Sequence, residues 1–304
     1  MPFQVRNFAV DFTIREDELF ENLRLRLLLE RDEITDWRII RKGLDARKKS
    51  SIRYVYTIEF SVRDEEGCRD KFSIDPDILP VDVEPTRFIP RLSSKRKIII
   101  AGMGPAGLFA AIRLASYGLR PILIERGRPV EERVRHVETF WRGGALNPES
   151  NVQFGEGGAG TFSDGKLTTR IRDENLRYVL ENLVHFGAPT EILWLAKPHI
   201  GTDRLRRVVR RIRNELLARG CEFLFSGKLT DITSRNSRVN TVVMNDRDEV
   251  PCDFLVLATG HSARDTYEML VRRGVHLEKK PFAVGVRVEH PQQRINCKIG
   301  RAHV

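Results

Sequence analysis

The sequence is poor in cysteine, contains no C-x-x-C pair and has no long apolar run. Its four cysteines lie far apart, at Cys68, Cys221, Cys252 and Cys297. This spacing argues against a disulfide framework, a zinc site and a dithiol redox centre, so no metal ligands are predicted. No apolar stretch approaches the roughly 20 residues that span a bilayer, and the N-terminus lacks the apolar core of a signal peptide. We therefore expect a cytoplasmic protein that does not enter a membrane.

The basic excess is confined to the second part of the chain. The 304 residues carry 52 Lys and Arg against 42 Asp and Glu, a net charge of +10. Residues 1–96 contain 19 basic and 19 acidic side chains, whereas residues 97–304 contain 33 and 23. Such an excess attracts a pyrophosphate cofactor, an acidic substrate or nucleic acid, and a solvated Arg-rich surface explains it equally well.

Residues 1–80 are predicted to form a small α+β domain. Apolar residues alternate over 8–14 and 52–62, as in strands, and recur at helical spacing over 19–28. A further strand around 37–40 gives the order β-α-β-β, with room for one more strand before Ile74. Prolines and a polar Ser-Ser-Lys-Arg run then mark residues 81–96 as a linker.

The segment from 97 to 125 has the pattern of a dinucleotide-binding turn. A short apolar run leads into the glycine-rich sequence G-M-G-P-A-G at 102–107, and apolar residues then recur at helical spacing. A second apolar run ends at Glu125, 18 residues after the last of these glycines. There a carboxylate can accept hydrogen bonds from ribose hydroxyls, and its charge disfavours a 2′-phosphate.

The residues of this turn have separate physical roles. Gly102 permits the tight turn, Gly104 lets the backbone approach a pyrophosphate, and Gly107 lets the helix pack on the strand. Pro105 and Ala106 open the helix, whose free N–H groups and positive dipole end face the phosphates. The motif predicts a dinucleotide site but does not separate FAD from NAD.

Two later features favour FAD. The predicted elements are an amphipathic helix at 203–219, strands at 221–229 and 239–244 around a turn at 235–238, and an apolar strand at 253–260 ending in A-T-G. With the glycine turn and Glu125-Arg126, this order resembles the FAD-binding domain of the glutathione-reductase-like class. Residues 154–167, F-G-E-G-G-A-G-T-F-S-D-G-K-L, resemble a loop of a bacterial family of FAD-dependent dehydrogenases, or NAD(P)/FAD-dependent oxidoreductases. Residues 45–49 and 258–265 match that family too, and the resemblance extends to about Cys297.

The resemblance implies which residues contact FAD. They are Gly102, Gly104, Pro105, Ala106, Gly107, Glu125, Arg126, Gly157, Gly158, Gly160, Leu229 and Gly260. Arg126 would lie beside the adenosine, Leu229 near the adenine, and Gly260 against the cofactor at the end of its strand. Residues 157–160 would come near the isoalloxazine, where backbone N–H groups stabilise the reduced flavin. A mobile glycine-rich connection is the alternative interpretation of that loop.

Other candidates are weaker, and no catalytic residue is assigned. His261 could relay a proton to substrate, although a lone histidine in a loop is more often a surface residue. Ser163, Asp164 and Lys166 fit either phosphate contact or turn chemistry. The Arg-rich helix and the basic residues 47–49 lack interleaved aromatics, which favours solvated surface over a nucleic-acid site.

The expected fold is α/β: the small α+β domain, then a Rossmann-type FAD- or NAD(P)-binding domain over 97–298 with a substrate-side insertion at about 130–200. The last six residues, 299–304, correspond to the translation of a common sequencing-library adapter, ATC-GGA-AGA-GCA-CAC-GTC. We therefore expect a non-native tail and an incomplete second domain, with a coincidental hexapeptide as the alternative.

The leading functional hypothesis is an FAD-dependent oxidoreductase that passes a hydride between flavin and a small-molecule substrate, with NAD(P)H as a candidate reductant. One alternative is a flavoprotein that modifies nucleic acid such as tRNA, although a nucleic-acid partner is the less favoured reading. The other is a non-enzymatic dinucleotide-binding module. The sequence does not specify the substrate.

Overall fold

A computed structural model describes residues 2–48, 50–82, 89–163, 165–167, 173, 175–236, 238–281, 284–286 and 288–299. The first unit has the order β-α-β-β-α-β. Its elements are β1 (Phe3–Asp11), α1 (Leu19–Leu27), β2 (Ile34–Asp45), β3 (Arg53–Val62), α2 (Glu65–Phe72) and β4 (Ile78–Pro80). The strands pair antiparallel in the order β2-β3-β1-β4, which is the ferredoxin-like arrangement.

The additional strand predicted before Ile74 is wrong, because that segment is the helix α2. The side chain of Asp64 accepts a hydrogen bond from the N–H of Gly67 at 3.0 Å and so caps the first turn. Cys68 and Phe72, four residues apart, are buried on one face of the helix. The fourth strand follows this helix instead of preceding it.

The core of this unit lies between the sheet and its two helices. Paired positions of β1 and β3 alternate inward, so that Phe3 lies opposite Phe60 and Val5 opposite Ile58. The rings of Phe3 and Phe60 both pack edge-on against Phe72 of α2, with centroids 5.3 and 5.8 Å away. The alternation of apolar residues in the sequence therefore reflects a sheet with one buried face.

The second unit contains a parallel sheet with the strand order β11-β5-β6-β7, which confirms the α/β fold class. Its elements are β5 (Ile98–Ala101), α3 (Pro105–Ser116), β6 (Ile122–Glu125), α4 (Val130–Trp141), α5 (Asn175–His185), α6 (Thr202–Ala218), β7 (Glu222–Phe225), β8 (Leu229–Arg235), β9 (Arg238–Met244), β10 (Asp248–Pro251), β11 (Phe254–Leu257), α7 (Arg264–Arg272) and α8 (Gln292–Ile299). All four residues of β5 are buried, as expected for a central parallel strand.

The strand predicted over 221–229 is two strands that belong to different sheets. β7 ends the parallel sheet, whereas β8 begins a three-stranded antiparallel sheet with β9 and β10. Between them Ser226 adopts a left-handed conformation with φ of 57°, which no regular strand accommodates. The break coincides with Ser226, Gly227 and Lys228, polar and turn-forming residues that the prediction of one strand over 221–229 passed over.

The segment between β6 and α6 holds α4, α5 and two short 3-10 turns at Ala159–Phe162 and Thr190–Leu193. One part of it touches the first unit: Lys42 of β2 donates its N–H to Trp194 O at 2.7 Å and accepts from Ala196 N at 2.9 Å. Residues 194–196 thus extend the edge of the first sheet. No helix in the described part of the chain is long and apolar enough to span a bilayer. Residues 300–304 of the expected tail lie outside the described residues.

Candidate functional site

A cavity of about 430 Å³ lies where β5, β6 and β11 end at the carboxyl edge of the parallel sheet. Ligands bind at this edge in open α/β sheets, and the volume is in the range of small-molecule sites. Nine of the twelve residues predicted to contact FAD line the cavity: Gly102, Gly104, Pro105, Ala106, Glu125, Arg126, Gly158, Leu229 and Gly260. Gly107, Gly157 and Gly160 are outside its lining.

Two glycines of the turn are required by close backbone contacts. A Cβ on Gly102, whose φ is +104°, would lie 2.3 Å from the carbonyl oxygen of Ala258 at the end of β11. A Cβ on Gly107 would lie 1.9 Å from the carbonyl oxygen of Gly102. Gly107 does not line the cavity; its missing side chain instead lets α3 pack against the turn.

The N-terminus of α3 points into the cavity. Gly104 is the N-cap residue, with extended φ and ψ, and Pro105 is the first helical residue. The first N–H groups of a helix have no partner within it, and the macrodipole places partial positive charge there. This end of α3 can therefore hold an anionic group such as a phosphate.

Glu125 is buried and anchors three backbone segments. Its carboxylate accepts hydrogen bonds from Met103 N at 2.8 Å, Gly127 N at 3.0 Å and Gly155 N at 3.0 Å. A carboxylate offers about four lone-pair positions, which leaves one for a ribose hydroxyl. The ribose contact stays a prediction, and the anchoring of the glycine turn is a second task that the sequence did not reveal.

Arg126 lines the cavity and is held by ionic and aromatic contacts. Its guanidinium lies 4.4 Å from the centre of the Phe154 ring and donates to both carboxylate oxygens of Asp265, at 2.8 and 3.0 Å. Lys228 approaches Asp265 at 2.7 Å and Glu149 at 3.1 Å, which closes a four-membered ionic cluster. Burial disfavours the Asp265 anion, but hydrogen bonds from the two cations outweigh burial and lower the pKa of Asp265 to about 2.

The loop predicted to approach the isoalloxazine contacts the glycine turn. Gly157 donates its N–H to Met103 O at 2.8 Å. A Cβ on Gly158 would lie 3.1 Å from both Gly104 Cα and Pro105 Cδ, so the two backbones are nearly in contact. Gly157 is buried and Gly160 is exposed. Of the three loop glycines, only Gly158 therefore faces the cavity, and the flavin contact stays a prediction.

Arg133 of α4 organises this loop and was missed by the sequence reasoning. Its side chain is completely buried and donates to backbone carbonyls. The acceptors are Glu156 O at 2.7 Å, Gly158 O and Asn151 O at 2.8 Å, Val152 O at 2.9 Å and Gly155 O at 3.3 Å. The available signal was its position on the buried stripe of α4 between Val130 and Val137.

Glu156 is a second buried charge behind the loop. Its carboxylate accepts from Val130 N at 2.8 Å, at the N-terminus of α4, and from Arg213 Nη1 at 2.7 Å. The other carboxylate oxygen is buried without a hydrogen-bond partner among the residues that the structure describes. Burial raises the pKa of Glu156 to about 7, against the opposing effects of these two donors.

The weaker candidates differ in position. His261 lines the cavity, and its Nε2 lies 3.3 Å from the Ser262 hydroxyl, which donates to the Gln153 side chain at 3.1 Å. The Ser163 hydroxyl donates to Gly160 O at 2.8 Å, which is turn chemistry. Lys166 forms a β-bridge with His199. Asp164 lies outside the described residues.

The described residues contain no cluster of three or more His, Cys, Asp or Glu side chains that could hold a metal ion. Each of the four cysteines is a free thiol; Cys68, Cys221 and Cys252 are buried and Cys297 is exposed.

Comparison with known proteins gives limited matches. Residues 9–61 match a family model described as a domain of unknown function (DUF8436). An uncharacterized protein of Clostridium beijerinckii (strain ATCC 51743 / NCIMB 8052) is 42% identical over 301 residues, which are 97% of this chain and 56% of that protein. This chain thus spans about half the length of that relative.

Solved structures resemble parts of the chain at low identity. Thermovibrio ammonificans THI4 is 19% identical with a TM-score of 0.41, over 59% of this chain and 62% of that chain. The L-amino acid deaminase of Proteus vulgaris is 12% identical with a TM-score of 0.37, over 64% and 59%. Thioredoxin reductase of Lactococcus lactis is 17% identical with a TM-score of 0.30, over 55% and 36%. Likenesses at this level carry no functional argument, so function must be argued from the cavity itself.

Proposed function

We propose that this chain binds FAD in the cavity at the carboxyl edge of the parallel sheet and belongs to a flavin-dependent oxidoreductase. The observation that carries the proposal is the bare backbone that Gly104 and Gly158 present to the cavity in front of α3. A Cβ on Gly104 would lie 3.7 Å from Gly158 Cα, so the two glycines lie side by side and leave the cavity in front of them free of side chains for a pyrophosphate. Both residues, like the helix N-terminus, line the cavity.

The chemical character of the cavity lining changes on either side of Gly104 and Gly158. Gly104, Ala106 and Gly158 would hold the pyrophosphate through backbone groups, and Glu125 would accept from a ribose hydroxyl. Leu229 and Leu270 are buried apolar residues in the lining, where they would contact the adenine. The ionic cluster of Arg126, Lys228, Glu149 and Asp265 pairs two cations with two carboxylates, so it brings no net charge to its part of the lining. Together, these proposed contacts to phosphate, ribose and adenine suit an adenosine diphosphate moiety.

When bound, FAD supplies the redox centre, which exchanges a hydride with substrate. The chain's own residues bind and orient the cofactor at its adenosine and phosphate end. The hydrogen bond from Ser262 to Gln153 joins two segments of the cavity lining that are distant in sequence. NAD(P)H as the electron donor, and a small molecule as the substrate, remain parts of the proposal.

One feature of the first unit counts against the nucleic-acid alternative. Sheets of this topology that bind RNA stack bases on aromatic side chains of the open face. Here the aromatic residues of the described strands pack in or against the core beneath the helices: Phe3, Phe8, Trp37, Tyr54, Tyr56 and Phe60. An open face without aromatic side chains offers no stacking platform.

The test is a spectrum of the purified protein followed by anaerobic titration with NADH and NADPH. We expect the visible bands of bound oxidised flavin, bleached by one or both nucleotides. Protein that remains colourless after incubation with FAD, and binds NAD instead, would reassign the cavity. Protein that binds FAD but is reduced by neither nucleotide would remove NAD(P)H and keep the flavin. Salt-sensitive retention of tRNA by the holoprotein would favour the nucleic-acid alternative.

A further inference from the structure

Arg133 lies directly behind the loop that faces the glycine turn, and it donates hydrogen bonds to the backbone carbonyl groups of that loop. We propose that Arg133 is a positioning residue that turns the N–H of Ala159 toward the phosphates of a bound dinucleotide. The loop would then add a hydrogen-bond donor to those of the α3 N-terminus. This inference rests on the proposed dinucleotide site and deepens it.

The peptide between Gly158 and Ala159 is held through its carbonyl. This carbonyl accepts a hydrogen bond from Arg133 Nη1 at 2.8 Å, from the buried side of the loop, and a longer one from Thr161 N at 3.3 Å within the 3-10 turn. The described chain has no cis peptide bond, and in a planar trans peptide the N–H points away from the carbonyl. The Ala159 N–H therefore points away from Arg133, and Ala159 lines the cavity beside Gly104 and Pro105.

Gly158 has a φ of 68° and a ψ of −169°, a region that essentially only glycine adopts. This conformation turns the chain sharply into the 3-10 turn that starts at Ala159. The bond from Arg133 compensates for the cost of this conformation, so the guanidinium holds the peptide in its orientation.

Arginine suits this position because its nitrogens reach carbonyls in several directions. Nε and Nη2 each donate to one carbonyl and Nη1 lies within reach of three, whereas a lysine offers three donors at one point. Gly155 makes room for the stem: a Cβ there would lie 2.4 Å from Arg133 Cδ. The Phe162 ring covers the guanidinium at 4.7 Å. Burial lowers the pKa of Arg133 only to about 10, so its positive charge persists behind the phosphate site at neutral pH.

Replacement of Ala159 by proline tests the donor directly. Proline lacks the N–H, and its fixed φ is compatible with the first residue of a helical turn. Ala159 is exposed, so we expect the variant to fold. Titration with FAD, ADP and adenosine should give about tenfold weaker binding of FAD and ADP, because one hydrogen bond to a charged group is lost. Adenosine, which has no phosphate, should bind as it does to the wild type.

Arg133→Lys and Arg133→Met test the positioning residue, with Arg135→Met as the matched control on the exposed side of the same helix. Melting temperatures identify variants that fold. A folded Arg133 variant should lose affinity for FAD and ADP but keep it for adenosine, and the control should match the wild type.

Undiminished FAD binding by Ala159→Pro would overturn the inference, as would equal losses for adenosine and ADP. Wild-type protein that binds neither FAD nor ADP would overturn the proposed function and this inference together.

Discussion

The carboxylate of Glu125, at the end of β6, accepts a hydrogen bond from the N–H of Gly155, 30 residues further along the chain, at 3.0 Å. The same carboxylate holds Met103 in the glycine turn. One acidic side chain therefore joins the turn after β5 to the loop that faces it. The two walls of the cavity are linked behind the position proposed for the pyrophosphate.

Replacement of Glu125 by alanine should both weaken FAD binding and destabilise the fold. Three N–H groups would lose their acceptor, and each buried unsatisfied donor costs on the order of 1–3 kcal/mol. We expect the free energy of unfolding in urea to fall by about 3 kcal/mol. Glu132→Ala, on the exposed surface of α4, is the control and should change it little. Equal losses in the two variants would contradict the anchoring role.

Gly107→Ala should separate α3 from the turn. The new Cβ would lie 1.9 Å from Gly102 O, and backbone cannot move aside cheaply. Overpacking of this kind costs about 1–3 kcal/mol, to be measured as the loss in free energy of unfolding. Gly285→Ala is the matched control because a Cβ there meets nothing within 4 Å. A Gly107→Ala variant as stable as the control would show that the turn relaxes without cost.

Because of Glu156, the free energy of unfolding should decrease as the pH rises toward neutral. The pKa of Glu156 is about 7 in the folded chain and 4.5 as a free side chain, so the folded state holds the proton more tightly. This contribution is complete below about pH 4.5, declines as the pH rises through this window and is lost above about pH 7. Glu156→Gln resembles the protonated form and removes the titration.

Urea unfolding of both proteins between about pH 5 and about pH 8 checks this prediction. The wild type should lose stability relative to Glu156→Gln by up to roughly 3 kcal/mol as the pH rises. Glu138→Gln, at an exposed position of α4, should show no such trend. A constant difference between wild type and Glu156→Gln over this range would mean that Glu156 does not titrate there.

Asp265→Asn should affect FAD affinity more than stability. The Asp265 side chain is 40% exposed, so solvent screening limits its contribution to folding to less than about 1 kcal/mol. Loss of its charge would release Arg126 from its place over Phe154 and alter the cavity wall. We expect FAD to bind several-fold more weakly while the melting temperature changes little. Asp248→Asn, in an exposed pair, is the control, and equal FAD affinities would contradict the prediction.

The parts of the fold that could be predicted are those with local causes. The strand, turn and helix from Ile98 to Ser116 follow from a buried apolar run, glycines at fixed spacing and a helical repeat. The break at Ser226 also had a local signal, the turn residues Ser226, Gly227 and Lys228, but the apolar Leu229 beyond them was taken as part of the same strand. Helix α2 was missed because its eight residues carry only two buried positions.

The candidate site divides in the same way. Gly102, Gly104 and Gly107 were found because a backbone conformation restricts the residue type at each position. The tasks of Arg133 and Glu156 depend on how the irregular segment 151–158 folds back over α4. No sequence periodicity encodes that path. The only sequence signal for Arg133 was a charged residue on the otherwise apolar stripe of α4.

The two backbone hydrogen bonds between Lys42 and residues 194–196 also cover part of a sheet edge of the first unit. β2 is an edge strand, and an uncovered edge is a template for pairing with other chains. The segment between β6 and α6 covers part of this edge from within the same molecule. Without that segment the N–H and carbonyl of Lys42 would be open to pairing, and we would expect the ferredoxin-like unit to associate with other copies more readily.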